Sequence, residues 1–272
     1  MRDETLRHHR RVSETPATPS AFDLPLRTLR YRDIPRWLWR GLSDFTHAPE
    51  LGVFYGACFV GMGWALLSLF KHAPVYVLAL AAGFLLTGPF LCMGLYRISQ
   101  QRERGDPPHF VDSLFAWRTR TGTLAIFGFT LLVIEMLWGR VALVIFALCF
   151  DGMPDFKGSI VKLLDPVNFE FILAYLTAGA FFSGLIFSIS AISIPMILDR
   201  QVDAITAGLT SLRLVLTQTG VMLAWGATIA LLVTLAMLPG FVGLLIVGPM
   251  IGHASWHAYR AALPREDAPG AQ

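Results

Sequence analysis

The segment L-A-I-F-G-F-T-L-L-V-I-E-M-L-W-G-R-V-A-L-V-I-F-A-L-C-F, from Leu124 to Phe150, decides the class of this protein. Its only ionisable side chains, the thiol apart, are Glu135 and Arg140. An apolar run of more than about 18 residues with few charges is typical of a membrane-spanning helix. At about 1.5 Å per residue, a helix of this length extends about 40 Å, so it must tilt or project beyond the bilayer.

The composition of the whole chain agrees with this class. Of the 272 residues, 54% are apolar and 15% are charged, whereas a soluble domain carries about 25% charged residues. The apolar residues form long continuous runs, which excludes the short alternating strands of a membrane β-barrel. The first run begins near Leu51, behind a polar stretch, so we expect no cleavable signal peptide. The sequence therefore predicts an all-α membrane protein.

Six apolar runs predict six transmembrane helices. Very short links join the first run to the second and the fifth to the sixth, which predicts helical hairpins. The predicted spans are 51–70, 74–96, 122–150, 171–195, 214–238 and 240–260, and they form one domain over residues 31–263. We also predict a disordered cytoplasmic tail at 1–30 and a cytoplasmic tail at 264–272.

The distribution of arginine predicts the orientation. Nine arginines lie in residues 1–50 and five in the link 97–121, while the opposite face carries only Lys71, Lys157 and Lys162. Because basic residues are retained on the cytoplasmic side, we expect both termini in the cytoplasm.

The sequence also contains a weak threefold repeat. Each unit is predicted to be one amphipathic helix at the inner membrane interface, followed by a hairpin of two spans. The approximate units are 33–106, 107–200 and 201–263.

Short motifs mark the amphipathic segments of these units. An aspartate stands at the start of each, and we expect it to cap the helix N-terminus. These residues are Asp33, Asp112 and Asp203. The pairs Trp39-Arg40 and Trp117-Arg118 follow in the first two units and are expected at the interface with lipid headgroups.

A proline lies late in each even-numbered run, within T-G-P-F, S-I-P-M and V-G-P-M. Proline donates no backbone hydrogen bond and pushes the preceding turn open, so we expect helix breaks at Pro89, Pro195 and Pro249. Two interpretations remain open: the three kinks enclose a polar hollow facing the cytoplasm, or they fit each hairpin to its interfacial helix.

Three polar residues inside the runs are candidates for function: Glu135, Arg140 and Ser188. A charge at the bilayer centre costs at least about 2.5–3.5 kcal/mol, so an intramembrane ionisable residue is a functional candidate by default. Five positions place Glu135 and Arg140 about 140° apart around a helix. We therefore expect each to find its partner on another helix.

The histidines and short motifs of the chain do not indicate catalysis. His253 and His257 share a helix face, but no carboxylate or cysteine is near them in sequence, so we predict an interfacial role without a metal. A haem–copper site needs several buried histidines, which the chain cannot supply. The sequence has no phosphate-binding loop, dinucleotide-binding glycine pattern, nucleophile elbow or HExxH helix. It predicts no enzymatic activity, no cofactor and no nucleic-acid partner.

Several motifs together carry a family resemblance. They are W-L-W-R-G (37–41), A-P-E-L-G-V-F-Y-G (48–56), G-F-L-L-T-G-P-F-L (83–91), G-L-Y-R-I-S-Q-Q-R-E-R-G-D-P-P (94–108) and F-A-W-R (115–118). The chain resembles the bacterial integral-membrane family called domain of unknown function 2189. The resemblance implies a six-span protein of the inner membrane; some members are labelled as cytochrome c oxidase subunits. It supplies no active-site residues.

Two functional hypotheses follow. The first is a non-catalytic accessory or assembly partner of another membrane complex, such as a respiratory one. It is supported by small-residue helix faces and the family label. The second is a transporter or channel for a small solute or lipid, through a cavity lined by the proline-kinked helices. Both place the chain in contact with the lipid bilayer.

Overall fold

The computed structural model describes residues 20–72, 77–150, 166–200 and 202–264, and only the backbone at 77–87 and 89. Within these ranges all regular structure is helical, which agrees with the predicted all-α class. The predicted tails at 1–19 and 265–272 lie outside the described residues. The helices are α1 (Asp33–His47), α2 (Pro49–His72), α3 (Val77–Arg104), α4 (Phe110–Leu114), α5 (Thr121–Cys149), α6 (Phe169–Ser190), α7 (Ser193–Arg200), α8 (Ala204–Thr217), α9 (Thr219–Met237) and α10 (Leu244–Ala262), with 3-10 turns at Ala116–Arg120 and Pro166–Asn168.

Four helical stretches in the described residues are long and apolar enough to cross a bilayer. They are Pro49–His72, Ala116–Cys149, Pro166–Arg200 and Thr219–Met237, and they correspond to the first, third, fourth and fifth predicted spans. The second and sixth predicted spans fall in α3 and α10, each of which continues from an apolar part into a polar end. The six-span, three-hairpin arrangement therefore remains a prediction.

The most deeply buried side chains gather at one end of the long helices. Trp256 and Tyr259 of α10, Met196 of α7 and Leu214 of α8 are all 0% exposed. The middle of α5, by contrast, turns Phe129 outward at 64% exposure, as a lipid-facing helix does. We call the packed end the basal layer, which consists of residues 20–30, α1, α4, α7, α8, residues 97–104 of α3 and residues 253–262 of α10.

The helix α1 packs closely on α10. At the crossing point, a Cβ added to Gly41 would lie 2.5 Å from the backbone oxygen of Met250. Trp37 packs edge-on against Trp225 of α9, with ring centroids 5.5 Å apart. The buried positions of α1 follow helical spacing: Ile34, Trp37, Gly41 and Asp44. This face carries a carboxylate into the interior of the basal layer.

The prediction of a disordered tail was wrong for residues 20–30. Leu24 and Leu29 are only 4% and 6% exposed. Arg213 of α8 donates to backbone carbonyls of this segment, and the Leu29 N–H donates to Gln218 Oε1 at 2.6 Å. Because buried backbone groups need partners, these two side chains fix the segment against α8 in a way that its own composition does not reveal.

One of the three predicted helix caps is formed. Asp203 Oδ1 accepts the backbone N–H groups of Ile205 and Thr206, both at 2.9 Å, at the start of α8. The predictions for Asp33 and Asp112 were wrong, because both lie within the first turn of their helices and not at the cap position.

Candidate functional site

A buried carboxylate, Asp44, lies at the centre of the basal layer with 4% exposure. Ser99 Oγ donates to Asp44 Oδ2 at 2.6 Å and lies 2.8 Å from His253 Nδ1. His257 Nε2 donates to Asp44 Oδ2 at 2.8 Å. Arg102 Nη1 donates to Asp44 Oδ1 at 2.5 Å. One network therefore joins α1, α3 and α10.

The surroundings of Asp44 favour its charged form. Burial alone raises the pKa of this carboxyl, but hydrogen bonds from His257 and Ser99, with the electrostatic effect of both imidazoles, outweigh burial and hold the pKa below its usual value. A cavity of about 320 Å³ opens beside the carboxylate, where Arg40 also contributes to the lining.

A second polar network in the basal layer is built around two further carboxylates, Glu103 and Asp199. Glu103 accepts from Trp256 Nε1 at 3.1 Å and from Arg260 Nε at 3.1 Å. Asp199 accepts from Tyr259 Oη at 2.8 Å and lies 3.5 Å from Arg260 Nη1. Among the described residues, no buried side-chain nitrogen or oxygen lacks a hydrogen-bond partner. Fully satisfied networks of this kind rigidify the interior, so the evident role of the two networks is to hold α1, α3, α7 and α10 together.

A second cavity, of about 740 Å³, lies between the end of α3, α4, the 3-10 turn before α5, and α7. None of its four arginines forms an ion pair with a residue that the structure describes. Arg97 Nη1 donates to Gln100 Oε1 at 2.6 Å, and the Arg118 guanidinium lies 3.9 Å from the centroid of the Phe115 ring. The four are Arg97, Arg104, Arg118 and Arg120. We call this the arginine cavity.

A third cavity, of about 360 Å³, lies between α2, α3, α9 and α10 and has a mostly apolar lining. Cys92 and Tyr96 of α3 line it together with Gly248 of α10, so two of the three proline-bearing helices contribute. Glu135 and Ser188 are absent from the lining.

The three prolines have different local structures. The helix α10 continues through Pro249 and the backbone of α3 continues through Pro89, whereas the helix is interrupted just before Pro195, between α6 and α7. Thus, of the three predicted helix breaks, only the one at Pro195 lies beside an interruption of the helix. Proline at 249 leaves the carbonyl of Leu245 without its helical donor, and this oxygen approaches Gly56 of α2 so closely that an added Cβ would lie 2.1 Å away.

The predicted intramembrane polar residues have separate environments. Glu135 is partly buried and makes no hydrogen bond or ion pair with any described residue, although Tyr175 of α6 is close enough to interact electrostatically. Arg140 is exposed. Ser188 Oγ donates to the Gly184 carbonyl at 2.6 Å, so its hydroxyl is used within α6.

The residues predicted at the interface also differ in burial. Trp39 is 72% exposed, as expected of an interfacial tryptophan. Trp117 is half-buried and packs edge-on against Phe90, with centroids 5.8 Å apart. His253 is 1% exposed, so it lies inside the basal layer with His257 at the edge of the same network. No carboxylate is near the two histidines in sequence, but the packing of α1 places Asp44 beside them in space.

Sequence reasoning missed most of the polar network. Asp44 could have been found, since it continues the helical spacing of Ile34 and Trp37 and so falls on the buried face. No comparable signal marks Ser99, Glu103 or Asp199, because each follows an apolar segment where polar residues are expected at the interface. Their partners come from distant parts of the chain.

An all-helical chain with several apolar helices long enough to cross a bilayer is an integral membrane protein. Residues 77–199 match the model of the family described as predicted integral membrane protein (DUF2189), which confirms the family resemblance. The matched range includes α3 to α6, α7 as far as Asp199, and the four arginines of the arginine cavity. No curated protein and no solved structure matches the chain.

Proposed function

We propose that this protein is a non-catalytic accessory or assembly partner of another membrane protein, and that α5 is the helix that makes the contact. The observation that supports it is Glu135, a partly buried carboxyl group within a span that has no hydrogen bond or ion pair with the described residues. A polar group in hydrocarbon costs several kcal/mol unless it is paired. A partner helix carrying a basic or hydroxyl side chain at the same depth would supply that pairing.

The exposed surface around Glu135 suits a helix–helix contact. Met136 and Leu137, next to it on α5, are 53% and 51% exposed. The same proposal includes six spans as three hairpins, repeated interfacial helices, and cytoplasmic termini in a bacterial inner membrane. The oxidase label of some family members makes a respiratory complex the first partner to test.

Photo-crosslinking within the native membrane tests the partner proposal. A photoreactive amino acid is placed at Met136 or Leu137 of α5 and, as a matched comparison, at Leu223 or Leu231 of α9, which are 57% and 60% exposed. We expect a discrete protein adduct from α5 and lipid adducts from α9. Glu135→Gln should reduce the protein adduct at least several-fold.

The control for this experiment is Glu170→Gln, which removes the same charge at the exposed start of α6. It should leave the adduct unchanged. If α5 yields only the lipid adducts seen at α9, or if Glu135→Gln has no effect on the protein adduct, the partner proposal is wrong.

The third cavity, between α2, α3, α9 and α10, supports a second candidate function, the movement of a lipid or other apolar solute. Its lining of groups such as Phe59, Cys92 and Gly248 suits an acyl chain and offers little to an ion. Gly248→Leu would fill part of the cavity beside Phe59. Retention of an alkyl-chain spin label in the purified protein should then fall. The control is Gly184→Leu, at a position with no neighbouring atoms within 4 Å. Equal retention in both variants would exclude this candidate.

A further inference from the structure

The arginine cavity differs from the rest of the basal layer in its charge balance. On α3, Arg102 is neutralised by Asp44 at 2.5 Å, and on α10 Arg260 is paired with Glu103 and Asp199. The four cavity arginines have no such partner among the described residues. Repulsion between four neighbouring cations is unfavourable, so the arrangement is best satisfied by an anion that the described residues do not supply.

The two carboxylates that face this cavity do not cancel its charge. Asp199 is engaged by Tyr259, Arg260 and Gln100, the last at 2.9 Å. Asp112 accepts a hydrogen bond from Gln101 Nε2 at 3.3 Å. With both counted, the lining still has an excess of two positive charges.

Two of the arginines are held in place before any ligand binds. Gln100 receives the Arg97 guanidinium and is itself anchored on Asp199. The Arg118 guanidinium stacks on the Phe115 ring at 3.9 Å, a cation–π contact that leaves its edge free for hydrogen bonding. A guanidinium group can donate two parallel hydrogen bonds to two oxygens of one phosphate group. A guanidinium that is already held in place loses less conformational entropy on binding than a mobile one.

The cavity also lies beside the ends of apolar helices, at the level where we expect lipid headgroups. Arg97 follows the apolar part of α3, and Arg118 and Arg120 immediately precede Thr121, where the apolar helix α5 begins. Its volume, about 740 Å³, is within the range of small-molecule sites. We propose that the arginine cavity binds a phosphate group, carried either by an anionic phospholipid headgroup or by a soluble phosphate.

Binding by the purified full chain in a neutral detergent tests the proposal and separates the two sources. Palmitoyl-oleoyl phosphatidylglycerol, palmitoyl-oleoyl phosphatidylcholine and inorganic phosphate are titrated separately, with adducts counted by native mass spectrometry and thermal shifts measured in parallel. We expect retention of phosphatidylglycerol over phosphatidylcholine, and about a tenfold loss of affinity in the double variant Arg97→Gln/Arg118→Gln, which is the usual effect of removing charge-assisted hydrogen bonds. Arg36→Gln, which removes an exposed arginine of α1 outside the cavity, should bind as the unmodified chain does.

A second double variant, Arg104→Gln/Arg120→Gln, guards against misfolding, because these side chains make no hydrogen bond or ion pair with described residues. It should also weaken binding while keeping the unmodified melting temperature. Inorganic phosphate binding that both double variants lose would assign the site to a soluble phosphate. Absence of binding by either probe, or equal binding by all variants, would overturn the proposal.

Discussion

At the scale of single residues, Pro249 and Gly56 act together in packing α10 against α2. The proline frees the Leu245 carbonyl, and the glycine lets that carbonyl approach the α2 backbone. Close approach at a small residue is a common means of packing helices in membranes. The proline in α10 therefore has a packing role that does not require a cavity at the kink.

Gly56→Ala is expected to destabilise the protein by about 1–3 kcal/mol, the usual cost of overpacking. The added methyl group would lie 2.1 Å from the Leu245 oxygen, and backbone cannot move aside as a flexible side chain can. Thermal unfolding in detergent measures the effect. The control is Gly61→Ala on the same helix, which meets no atom within 4 Å and should leave the melting temperature unchanged or slightly higher. Equal melting of the two variants would contradict the close-packing account.

Asp44 gives a prediction with a defined pH dependence. Its pKa is held below the ordinary 3.8 in the folded state, so its carboxylate stabilises the fold fully above about pH 4 and loses this effect as the pH falls through the lowered pKa. We expect Asp44→Asn to lower the free energy of unfolding at pH 7 by about 3 kcal/mol, because Arg102 and His257 lose their buried partner.

Melting temperatures measured from pH 7 to pH 3 check this prediction. The difference between the unmodified protein and Asp44→Asn should be constant near neutrality and shrink at the acidic end. Asp106→Asn, at an exposed position, serves as the control and should follow the unmodified protein throughout. A difference that grew on acidification would mean that the sign of the Asp44 contribution is wrong.

At the scale of helices, α8 has one buried face and one exposed face. Ala207 and Ser211 are 0% exposed and face the core, while Ile205 is 70% exposed. Ser211 Oγ donates to the Ser188 carbonyl at 2.8 Å, which ties α8 to the end of α6.

The cap of α8 can be tested by a pair of substitutions at one position. Asp203→Ala removes the acceptor for the N–H groups of Ile205 and Thr206 and should cost about 1 kcal/mol. Asp203→Asn keeps an acceptor of the same shape and should cost much less. Thermal unfolding of the two variants provides the comparison, and equal losses would show that charge, rather than capping, is what Asp203 contributes.

At the scale of the whole molecule, the basal layer and the spans are stabilised in different ways. The basal layer buries apolar and polar side chains together, with a hydrogen-bonded network at its centre. The spans expose apolar side chains such as Phe129 and Leu148, the latter at 81%, and therefore need lipid as their solvent. Because basic residues are retained on the cytoplasmic side, we expect the arginine-rich basal layer to lie on the cytoplasmic side of the membrane.

Cysteine labelling tests the predicted orientation, in which the basal layer and both termini are cytoplasmic. In a background with Cys58, Cys92 and Cys149 replaced by alanine, Val167→Cys, in the 3-10 turn that precedes α6, should react with a membrane-impermeant maleimide in intact cells. Arg36→Cys in the basal layer should react only after permeabilisation. The opposite pattern would reverse the predicted topology, and reaction of both in intact cells would rule out the predicted placement on opposite sides.

The sequence by itself determined the membrane class, the approximate places of the long helices and the position of the basic residues. These follow from local properties, since the length and apolarity of a segment suffice for a span. Only the tertiary structure decided that residues 20–30 are packed and that Asp44 meets His257 across 213 positions of sequence. It also decided that four arginines share a cavity in which no described carboxylate forms an ion pair with them. The physical reason is that a buried charge is satisfied by whichever helix packs beside it, and helix packing depends on close crossings such as that at Gly41, which no single segment encodes.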